Sequence, residues 1–327
     1  MIRSESVQDL PDLWKETYDL VAQVPKGKVT TYGAVAKALG DIAASRFVGL
    51  AMSKNDDIVR VPCRRVVQSD GQLGGYTGGG ALKKKNLLRN EGVKVNGTRI
   101  VDLESVLFTD LKIKKPKPLA ELRSRQRRLR RHLVLDEFKV EIEKVAGVDV
   151  AYDGSRAYAA MVTLDYRTLK EVDRRVAEGS VDFPYVPTYL GFREIPLIAP
   201  LMNDIRKGTV IMYDGNGTLH PEGFGIASQL GVVFDVPVVG VAKKLLCGSV
   251  SDRVVDGARE VVMDGNVIGY SVAKQGQSRP IYVSPGHKVS PRQALEIAKG
   301  TMMFRVPEPV RMAHIVAEAA KRGTSHK

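Results

Sequence analysis

The sequence contains little cysteine and no long apolar run. Its 327 residues include two cysteines, Cys63 and Cys247, which form no CxxC pair, so neither a disulfide framework nor a zinc site is indicated. The most apolar stretch, residues 231–242, is interrupted by Asp235 and Pro237 and is too short to cross a bilayer. The N-terminal segment lacks the apolar core that a secretion signal needs. We therefore expect a cytoplasmic protein with no membrane partner, in which each thiol serves packing or chemistry.

Acidic residues are also in short supply. The chain has 37 Asp and Glu against 50 Lys and Arg, a formal net charge of +13, which in a soluble protein first indicates nucleic acid as a partner. Between residues 111 and 131, ten basic residues accompany a single acid, Glu121, so nine of the thirteen net charges lie there. A solvated helix face explains such a run as well as phosphate binding does.

The length and one proline-rich segment predict two domains. A chain of 327 residues exceeds the size of most single cores. The segment DLKIKKPKPLAELRSRQ carries two prolines among lysines and then becomes helix-like, which is typical of a linker that enters a new domain. We place the first domain at residues 1–110, a basic linker at 111–120 and the second domain at 121–327.

Hydrophobic patterning differs between the two parts. In the first, TTYGAVAKALG and AASRFVGLAMSK predict two short helices joined by a tight turn, a helix-turn-helix that can present its second helix to a DNA groove. In the second, VAGVDVAY, AYAAMVTLDY and TVIMYDGNG predict strands, helical patterns follow, and DGN between two apolar runs predicts a hairpin. The fold class is therefore a small α/β domain with a helix-turn-helix, followed by an α/β domain with a mixed sheet.

Three carboxylates interrupt ordered stretches of the second part: Asp149, Glu194 and Asp214. An unpaired buried carboxylate is costly, so an acid within a strand pattern indicates a cation or hydrogen-bond donors as its partner. A turn or helix-capping role suits Asp214 but suits Asp149 poorly. Carboxylates gathered at the ends of neighbouring strands are ligands that suit Mg²⁺, in a site for phosphoryl transfer.

The motifs VAGVDVAY, PYVPTYLGFRE, YDGNGTLHPEGFGIAS, GVAKK and YVSPGHK resemble, in this order, those of endonuclease V over residues 120–310. The resemblance implies an RNase H-like fold and a nuclease that nicks DNA near deaminated adenine with Mg²⁺, or Mn²⁺, as cofactor. It makes Asp149, Glu194 and Asp214 the metal-holding carboxylates, with Asp149 and Asp214 the strongest. It also makes Lys243 and His287 members of the catalytic cluster.

The same resemblance implies contacts with DNA. Tyr185 and Pro187 of PYVP would form a wedge that enters the base stack when the damaged base is flipped out, although the segment taken alone is typical of a surface loop. His220 would lie near the scissile strand, although an isolated histidine in this context indicates only a turn. The chain has Thr188 where the family has glycine and Glu222 where the family has arginine.

A second resemblance covers residues 10–95, where VPKGKVTTYGAVAKALG, VPCRRVV, SDGQLGGYTGG and LLRNEG are similar to the DNA-binding and active-site domain of O6-alkylguanine-DNA alkyltransferases. It implies that Cys63 accepts the alkyl group and is consumed in one turnover. Thiolate is the nucleophilic form, and cationic neighbours favour it, whereas a cysteine beside valines is otherwise typical of packing. The resemblance assigns DNA contacts or pocket roles to Tyr32 at the flipped nucleotide, Arg46 as the finger that fills the stack, Asn55 beneath the active-site turn, and Tyr76 and Thr77 over the base pocket.

One position departs from the alkyltransferase pattern. The family has a histidine after the cysteine that relays the thiol proton to a glutamate, matched here by Glu91, whereas this chain has Arg64. Arginine cannot accept a proton, but it can stabilise a thiolate towards which it points. Transfer to Cys63 and non-catalytic reading of alkylated bases both remain open, and the retained cysteine favours transfer.

The sequence thus predicts a bifunctional DNA repair enzyme. One domain would transfer an alkyl group from O6-alkylguanine to Cys63, and the other would hydrolyse a phosphodiester on the 3′ side of deoxyinosine. The expected partner is double-stranded DNA carrying either lesion, and a monomer is presumed. A nuclease that prefers inosine in RNA and a nucleic-acid binder with two inactive sites are the alternatives.

Overall fold

The computed structural model describes residues 9–113, 116–274 and 279–324, which form two compact units. The first unit comprises residues 11–124 with 183–187, and the second comprises the rest. The boundary between Ser124 and Arg125 falls inside a helix rather than in the predicted linker, part of which (114–115) lies outside the described residues. The helix continues there because buried leucines keep helical spacing through the arginine-rich stretch.

The first unit is mostly helical, with two short strand pairings and two isolated bridges among its described residues. Its elements are α1 (Leu13–Ala22), β1 (Thr30–Thr31), α2 (Tyr32–Leu39), α3 (Ser45–Lys54), β2 (Val66–Val67), α4 (Gly80–Asn90), β3 (Val95–Asn96), β4 (Arg99–Ile100), α5 (Leu103–Val106) and the start of α6 (Pro118–Arg130). Strand β1 pairs with β2 in parallel, and β3 pairs with β4 antiparallel.

Helices α2 and α3 form the predicted helix-turn-helix. The side chain of Thr31 caps α2 by accepting a hydrogen bond from the amide of Ala34 at 3.0 Å. Gly40 ends the helix at φ 113°, a left-handed conformation that favours glycine, and a short 3₁₀ turn leads into α3. The buried ring of Phe47 on α3 packs edge-on against Trp14 of α1, with their centroids 5.1 Å apart.

A nine-stranded mixed sheet forms the centre of the second unit, in the order β10-β11-β12-β13-β9-β8-β5-β6-β7. Strands β5, β8 and β9 are parallel and the other neighbours are antiparallel. The strands are β5 (Lys144–Asp153), β6 (Arg156–Asp165), β7 (Glu171–Ser180), β8 (Thr209–Asp214), β9 (Val238–Ala242), β10 (Ser249–Val255), β11 (Ala258–Met263), β12 (Asn266–Val272) and β13 (Ile281–His287). The predicted hairpin is confirmed between β11 and β12, where Asp264 and Gly265 form the two-residue turn.

Helices cover both faces of this sheet. They are α7 (Leu190–Ile198), α8 (Ile226–Phe234), α9 (Pro291–Gly300) and α10 (Glu308–Thr324). One core contains α9, α10 and the side chains of Val145 and Ala151, whereas the other contains α7, α8 and the side chains of Ala146 and Val148. Alternate residues of β5 therefore face opposite helix layers, which decides where each functional side chain lies.

This architecture confirms the predicted fold class: a small helix-turn-helix domain followed by an α/β domain built on a large mixed sheet. In the described ranges, no helix is both long and apolar enough to cross a membrane.

Candidate active sites

Two of the three predicted carboxylates meet at the centre of the large sheet. Strand β5 pairs in parallel with β8, and the register aligns Val148 with Tyr213, so Asp149 and Asp214 follow as neighbours. Both carboxylates lie on the face covered by α9 and α10, because Val145 and Met212, at even spacing from them, belong to that core. Burial, and then the negative charge of Asp214, raise the pKa of Asp149 above its ordinary value. The pair therefore concentrates negative charge.

Lys243 lies beside this pair, and its catalytic role stays a prediction. It follows the last residue of β9, and its Nζ atom is 2.5 Å from Oδ2 of Asp214. Its side chain is 46% exposed, so a charge or substrate arriving from solvent can reach the same ammonium group.

Helix α10 brings a histidine to the carboxylates. Nδ1 of His314 lies 2.7 Å from Oδ2 of Asp149, and its ring is half-exposed. The helix can approach β5 because position 147 is glycine: a Cβ atom there would lie 1.9 Å from the carbonyl oxygen of Pro309. Gly147 and Asp149 lie on the same face of β5, so the close approach of α10 at Gly147 also places His314 beside Asp149.

Glu194, the third predicted carboxylate, is not at a strand end, and its part in holding a metal stays a prediction. It lies on helix α7, and its two carboxylate oxygens accept hydrogen bonds from the hydroxyl groups of Tyr152, at 2.6 Å, and Tyr213. Both tyrosines face the α7 and α8 layer. Burial raises the pKa of Glu194 to about 7, against the lowering effect of those hydrogen bonds. Within the described ranges, no group of three or more His, Cys, Asp or Glu side chains is spaced to hold a metal ion.

His287 is likewise not where the sequence placed it. It ends β13, paired with Val238 at the start of β9, whereas Asp214 pairs with Val241 farther along β9. The ring is 2% exposed, its Nδ1 atom accepts the amide hydrogen of Val134 at 3.2 Å, and burial lowers its pKa. Because antiparallel pairing carries β13 away from the carboxylates, His287 joins segments of the fold at the other end of the strands.

The DNA contacts that the resemblance to endonuclease V implies are partly exposed. Tyr185 is 57% exposed and Pro187 is half-buried, whereas His220 is buried, and its Nδ1 atom accepts the amide hydrogen of Glu222 at 3.2 Å. Thr188 has a φ of 71°, a left-handed conformation that suits the glycine of the family pattern. The carboxylate of Glu222, at the other departure, pairs with Arg127 at 3.0 Å.

The first unit positions Cys63 at the start of a 3₁₀ turn directly after Pro62. The residue is 4% exposed, and neither cysteine forms a disulfide. The side-chain amide of Asn55, at the end of α3, donates to the carbonyl of Val61 at 3.0 Å. Asn55 therefore ties the helix-turn-helix to the cysteine turn, in the supporting position that the sequence indicated.

Glu91 is held by two arginines. Nε of Arg64 donates to Oε1 of Glu91 at 2.7 Å, and Nε of Arg65 donates to Oε2 at 2.8 Å. A further Arg64 nitrogen donates to the carbonyl of Ile58 at 3.2 Å. Burial alone would raise the pKa of Glu91, but the hydrogen bonds from Arg65 and Arg64 outweigh it and lower the pKa. The Arg64 guanidinium is thus committed to Glu91 and to the backbone.

Tyrosines surround the thiol side of this domain. Tyr32 and Tyr76 both interact electrostatically with Cys63, and burial raises the pKa of each, so both hydroxyl groups stay protonated. The hydroxyl of Tyr76 is buried and, among the described residues, has no hydrogen-bond partner. An unpaired buried hydroxyl is costly, so this group is available as a hydrogen-bond donor. Arg46 on α3 and Thr77 beside Tyr76 are exposed.

Comparison with known proteins matches both parts of the chain. The sequence model of the Endonuclease V family matches residues 127–315, and that of the 6-O-methylguanine DNA methyltransferase DNA-binding domain matches residues 12–93. A bifunctional methyltransferase/endonuclease of Picrophilus torridus is 35% identical over 311 residues, which cover 95% of this chain and 97% of the relative. The chain belongs to the bifunctional methyltransferase/endonuclease family.

Solved structures match the endonuclease part of this family member. A human endonuclease V is 32% identical with a TM-score of 0.58, covering 63% of this chain and 99% of that one. A Ciona intestinalis endonuclease V, bound to DNA containing an inosine followed by a ribo-adenosine, is 28% identical with a TM-score of 0.57, covering 63% and 98%.

In this bifunctional methyltransferase/endonuclease, His314 is the residue that sequence reasoning missed. The segment PVRMAHIVAEAAKR reads as an amphipathic helix, and one histidine on it carries no signal of its own. The available signal was positional: a half-exposed histidine among small residues of a helix that must pack on the strand containing Asp149.

Proposed function

We propose that this chain repairs DNA in two ways: it transfers an alkyl group from O6-alkylguanine to Cys63, and it hydrolyses a phosphodiester on the 3′ side of deoxyinosine. The observation that carries the nuclease is the pair of neighbouring carboxylates, Asp149 and Asp214, with Lys243 and His314 against them. The observations that carry the transfer are the buried Cys63 and, in the same domain, the buried hydroxyl of Tyr76, which has no hydrogen-bond partner among the described residues.

The carboxylate pair fits a divalent cation, for which we propose Mg²⁺, or Mn²⁺ in its place. Asp149 and Asp214 are partly buried on neighbouring strands; burial, and then the charge of Asp214, raise the pKa of Asp149, and a hard cation with oxygen ligands would offset both effects. Asp149 and Asp214 would hold the ion, and Glu194 stays a candidate third ligand because its charge interacts with that of Asp149. When bound, the ion supplies an activated water and neutralises charge on the leaving oxygen.

The remaining groups of this site act on protons and position. His314, with its Nδ1 proton donated to Asp149, leaves Nε2 on a half-exposed ring as an acceptor for a proton. Lys243 orients Asp214 and adds a positive charge where the phosphate would lie.

Alkyl transfer requires one bond exchange at Cys63. The thiol loses its proton to water, and the thiolate attacks the alkyl carbon, so an S–C bond forms as the C–O6 bond breaks. The electron pair of the broken bond stays on guanine, which takes a proton from water. We propose that Tyr32 and Tyr76 contact the flipped nucleotide, with Thr77 above it, and that Asn55 holds the turn.

We propose that exposed residues of both units contact double-stranded DNA. Arg46 would fill the gap left by a flipped alkylguanine, and Tyr185 with Pro187 would form the wedge at deoxyinosine. The Ciona intestinalis complex with inosine-containing DNA supports the second contact. His220 would support the DNA-facing segment from below, since it is buried.

A second candidate function for the first domain follows from Glu91. Because Arg64 is committed to Glu91, the family proton relay is missing, and the domain would then read alkylated guanine without transfer. Incubation with a duplex carrying radiolabelled O6-methylguanine decides between the two. Label on the Cys63 peptide supports transfer, and label that stays on bound DNA overturns it.

The nuclease is tested on duplexes that carry one deoxyinosine, with and without Mg²⁺. We expect a single nick 3′ of the lesion that depends on the metal. Matched substrates with adenine, or with inosine in RNA, measure the preference. An absence of nicking with every metal tested, or an equal rate on the adenine duplex, would contradict the proposal.

A further inference from the structure

Lys84 is a lysine with no access to solvent. It lies on α4 in the first unit and is 0% exposed. In the described part of the chain, no carboxylate lies within ion-pair distance of it. Lysines are almost never fully buried without a partner, because removing an ammonium group from water is costly. A buried unpaired lysine in a domain of this size therefore needs a function.

Backbone carbonyls hold the Lys84 side chain in its charged form. Its Nζ atom donates to the carbonyls of Val66 at 2.7 Å, Leu73 at 2.5 Å and Gly75 at 3.4 Å. Three acceptors match the three donors of an ammonium group, whereas a neutral amine has only two hydrogens. Burial lowers the pKa of Lys84 to about 8, with the Cys63 charge acting in the opposite sense, so the group is still mainly protonated at pH 7.

The three carbonyls lie on either side of the acceptor cysteine. Val66 follows the 3₁₀ turn that begins with Cys63, and Leu73 and Gly75 lie in the loop that leads to Tyr76. The ionisable group with which the Lys84 charge interacts is Cys63. Lys84 therefore places a buried positive charge beside the backbone of the cysteine turn and joins that turn to the loop that leads to Tyr76.

The other charged and titratable groups near the thiol do not supply this charge. Tyr18, Tyr32 and Tyr76 also interact with Cys63, and burial raises the pKa of each, so they are neutral at pH 7. Arg64 is adjacent in sequence, but its guanidinium donates to Glu91 and to the carbonyl of Ile58. The negative charge of Glu91 offsets it.

We propose that Lys84 is the positioning residue that stabilises the Cys63 thiolate, replacing electrostatically what the missing relay histidine would do by proton transfer. The inference rests on the proposed alkyl transfer for its biological purpose, but thiolate stabilisation itself is a property of the free protein. The thiol proton leaves to water, and the thiolate is held by a fixed charge in a site of low dielectric constant.

The test measures the alkylation of Cys63 by iodoacetamide in the full-length protein without DNA, with mass spectrometry of the Cys63 and Cys247 peptides. The variants are Lys84→Gln, which removes the charge but keeps an amide donor, and Lys84→Arg, which keeps the charge. At pH 7 we expect Lys84→Gln to slow alkylation of Cys63 about tenfold, with its pH profile moved upward by about one unit. Lys84→Arg should stay within about threefold of wild type, and Cys247 should not change.

Emission of Trp14, the single tryptophan of the chain, reports whether the first unit is folded. A folded Lys84→Gln protein that alkylates Cys63 as fast as wild type overturns the proposal. Arg64→Met provides an independent test should Lys84→Gln fail to fold: we expect less than a threefold change. A tenfold loss there would make Arg64 the activating cation and would also overturn the proposal. Fast alkylation of Cys63 together with no label transfer from DNA would refute only the transferase function.

Discussion

The two candidate sites differ in how much positive charge surrounds their acidic side chains. In the first unit, Glu91 is 8% exposed and is shared by Arg64 and Arg65, so its charge is more than balanced. In the second, Asp149 and Asp214 stand next to each other, with the half-exposed Lys243 as their one lysine partner. A carboxylate that is fully paired with arginines, such as Glu91, stabilises the structure. Two adjacent carboxylates with less positive charge around them, such as Asp149 and Asp214, can bind a cation from solution.

The largest effect on nicking should follow removal of one member of the carboxylate pair, Asp149 and Asp214. We expect Asp149→Ala to reduce nicking of a deoxyinosine duplex by at least ~10²-fold, because a main ligand of the ion is lost. Binding of Mn²⁺, measured by electron paramagnetic resonance, should weaken in parallel. Asp153→Ala, at the exposed end of the same strand, is the matched control and should nick normally. Equal nicking by Asp149→Ala and wild type would show that Asp149 is not needed to hold the ion.

Variants of two histidines, His314 and His287, distinguish a role in the reaction from a role in stability. His314→Ala should lower nicking by roughly 10²-fold with little change in stability, because the half-exposed ring acts on a proton. His287→Ala should instead destabilise the second unit by about 2 kcal/mol, since it leaves the amide of Val134 unpaired. Nicking rates at 25 °C and hydrogen exchange measure the two effects. If instead His287→Ala lowered nicking and His314→Ala lowered stability, the result would support the sequence-based assignment of His287 to the catalytic cluster.

Glu91, the carboxylate that is paired with two arginines, should contribute to the stability of the first unit. We expect Glu91→Gln to destabilise the first unit by about 3 kcal/mol, because two partly buried arginines lose their counter-charge. Since the pKa of Glu91 is lowered in the folded state, its stabilisation is present above the unfolded pKa, near 4.5, and is lost as pH falls through the folded value. Urea unfolding followed by Trp14 emission at pH 7, 5 and 3 should show this loss in wild type and not in the variant. Parallel pH dependence in the two proteins would contradict it.

A smaller effect concerns the third acid. Tyr213→Phe removes a fully buried donor to Glu194 and should destabilise the second unit by about 1–2 kcal/mol. Tyr152→Phe should cost about 1 kcal/mol or less, because that side chain is only partly buried and water can replace its hydroxyl. Thermal unfolding of both variants measures the difference. If neither variant is less stable, Glu194 is not held by these tyrosines.

The smallest expected effect is at Thr188. A β-branched residue at φ 71° is strained, so Thr188→Gly should stabilise the second unit by up to about 1 kcal/mol, after allowing for the flexibility of glycine in the unfolded chain. Thr168→Gly, in an exposed turn, is the control and should not stabilise. A destabilised Thr188→Gly protein would show that contacts of the threonine outweigh the strain.

Most of the fold was accessible from local patterns, whereas the sites were accessible only in part. The helix-turn-helix follows from Thr31, Gly40 and apolar spacing, and the β11–β12 hairpin follows from DGN, because caps and two-residue turns act over a few residues. Asp149 and Asp214 were predicted because acids interrupt or end strand patterns there, whereas Lys243 was predicted only through the resemblance to endonuclease V. The domain boundary at residues 111–120 stays a prediction: prolines near residue 116 mark where α6 starts, and the two compact units divide inside that helix.

The sequence by itself determined the two-domain organisation and the family, because motif order, charge and hydrophobic period are properties of the chain; Cys63 as the alkyl acceptor stays a prediction. The tertiary structure decided which side chains meet. Strand pairing direction separates His287 from the carboxylates, helix α7 places Glu194 against the hydroxyl groups of Tyr152 and Tyr213, and helix packing brings His314 to Asp149. These contacts join residues up to 165 positions apart, a separation at which local sequence patterns carry no information on distance.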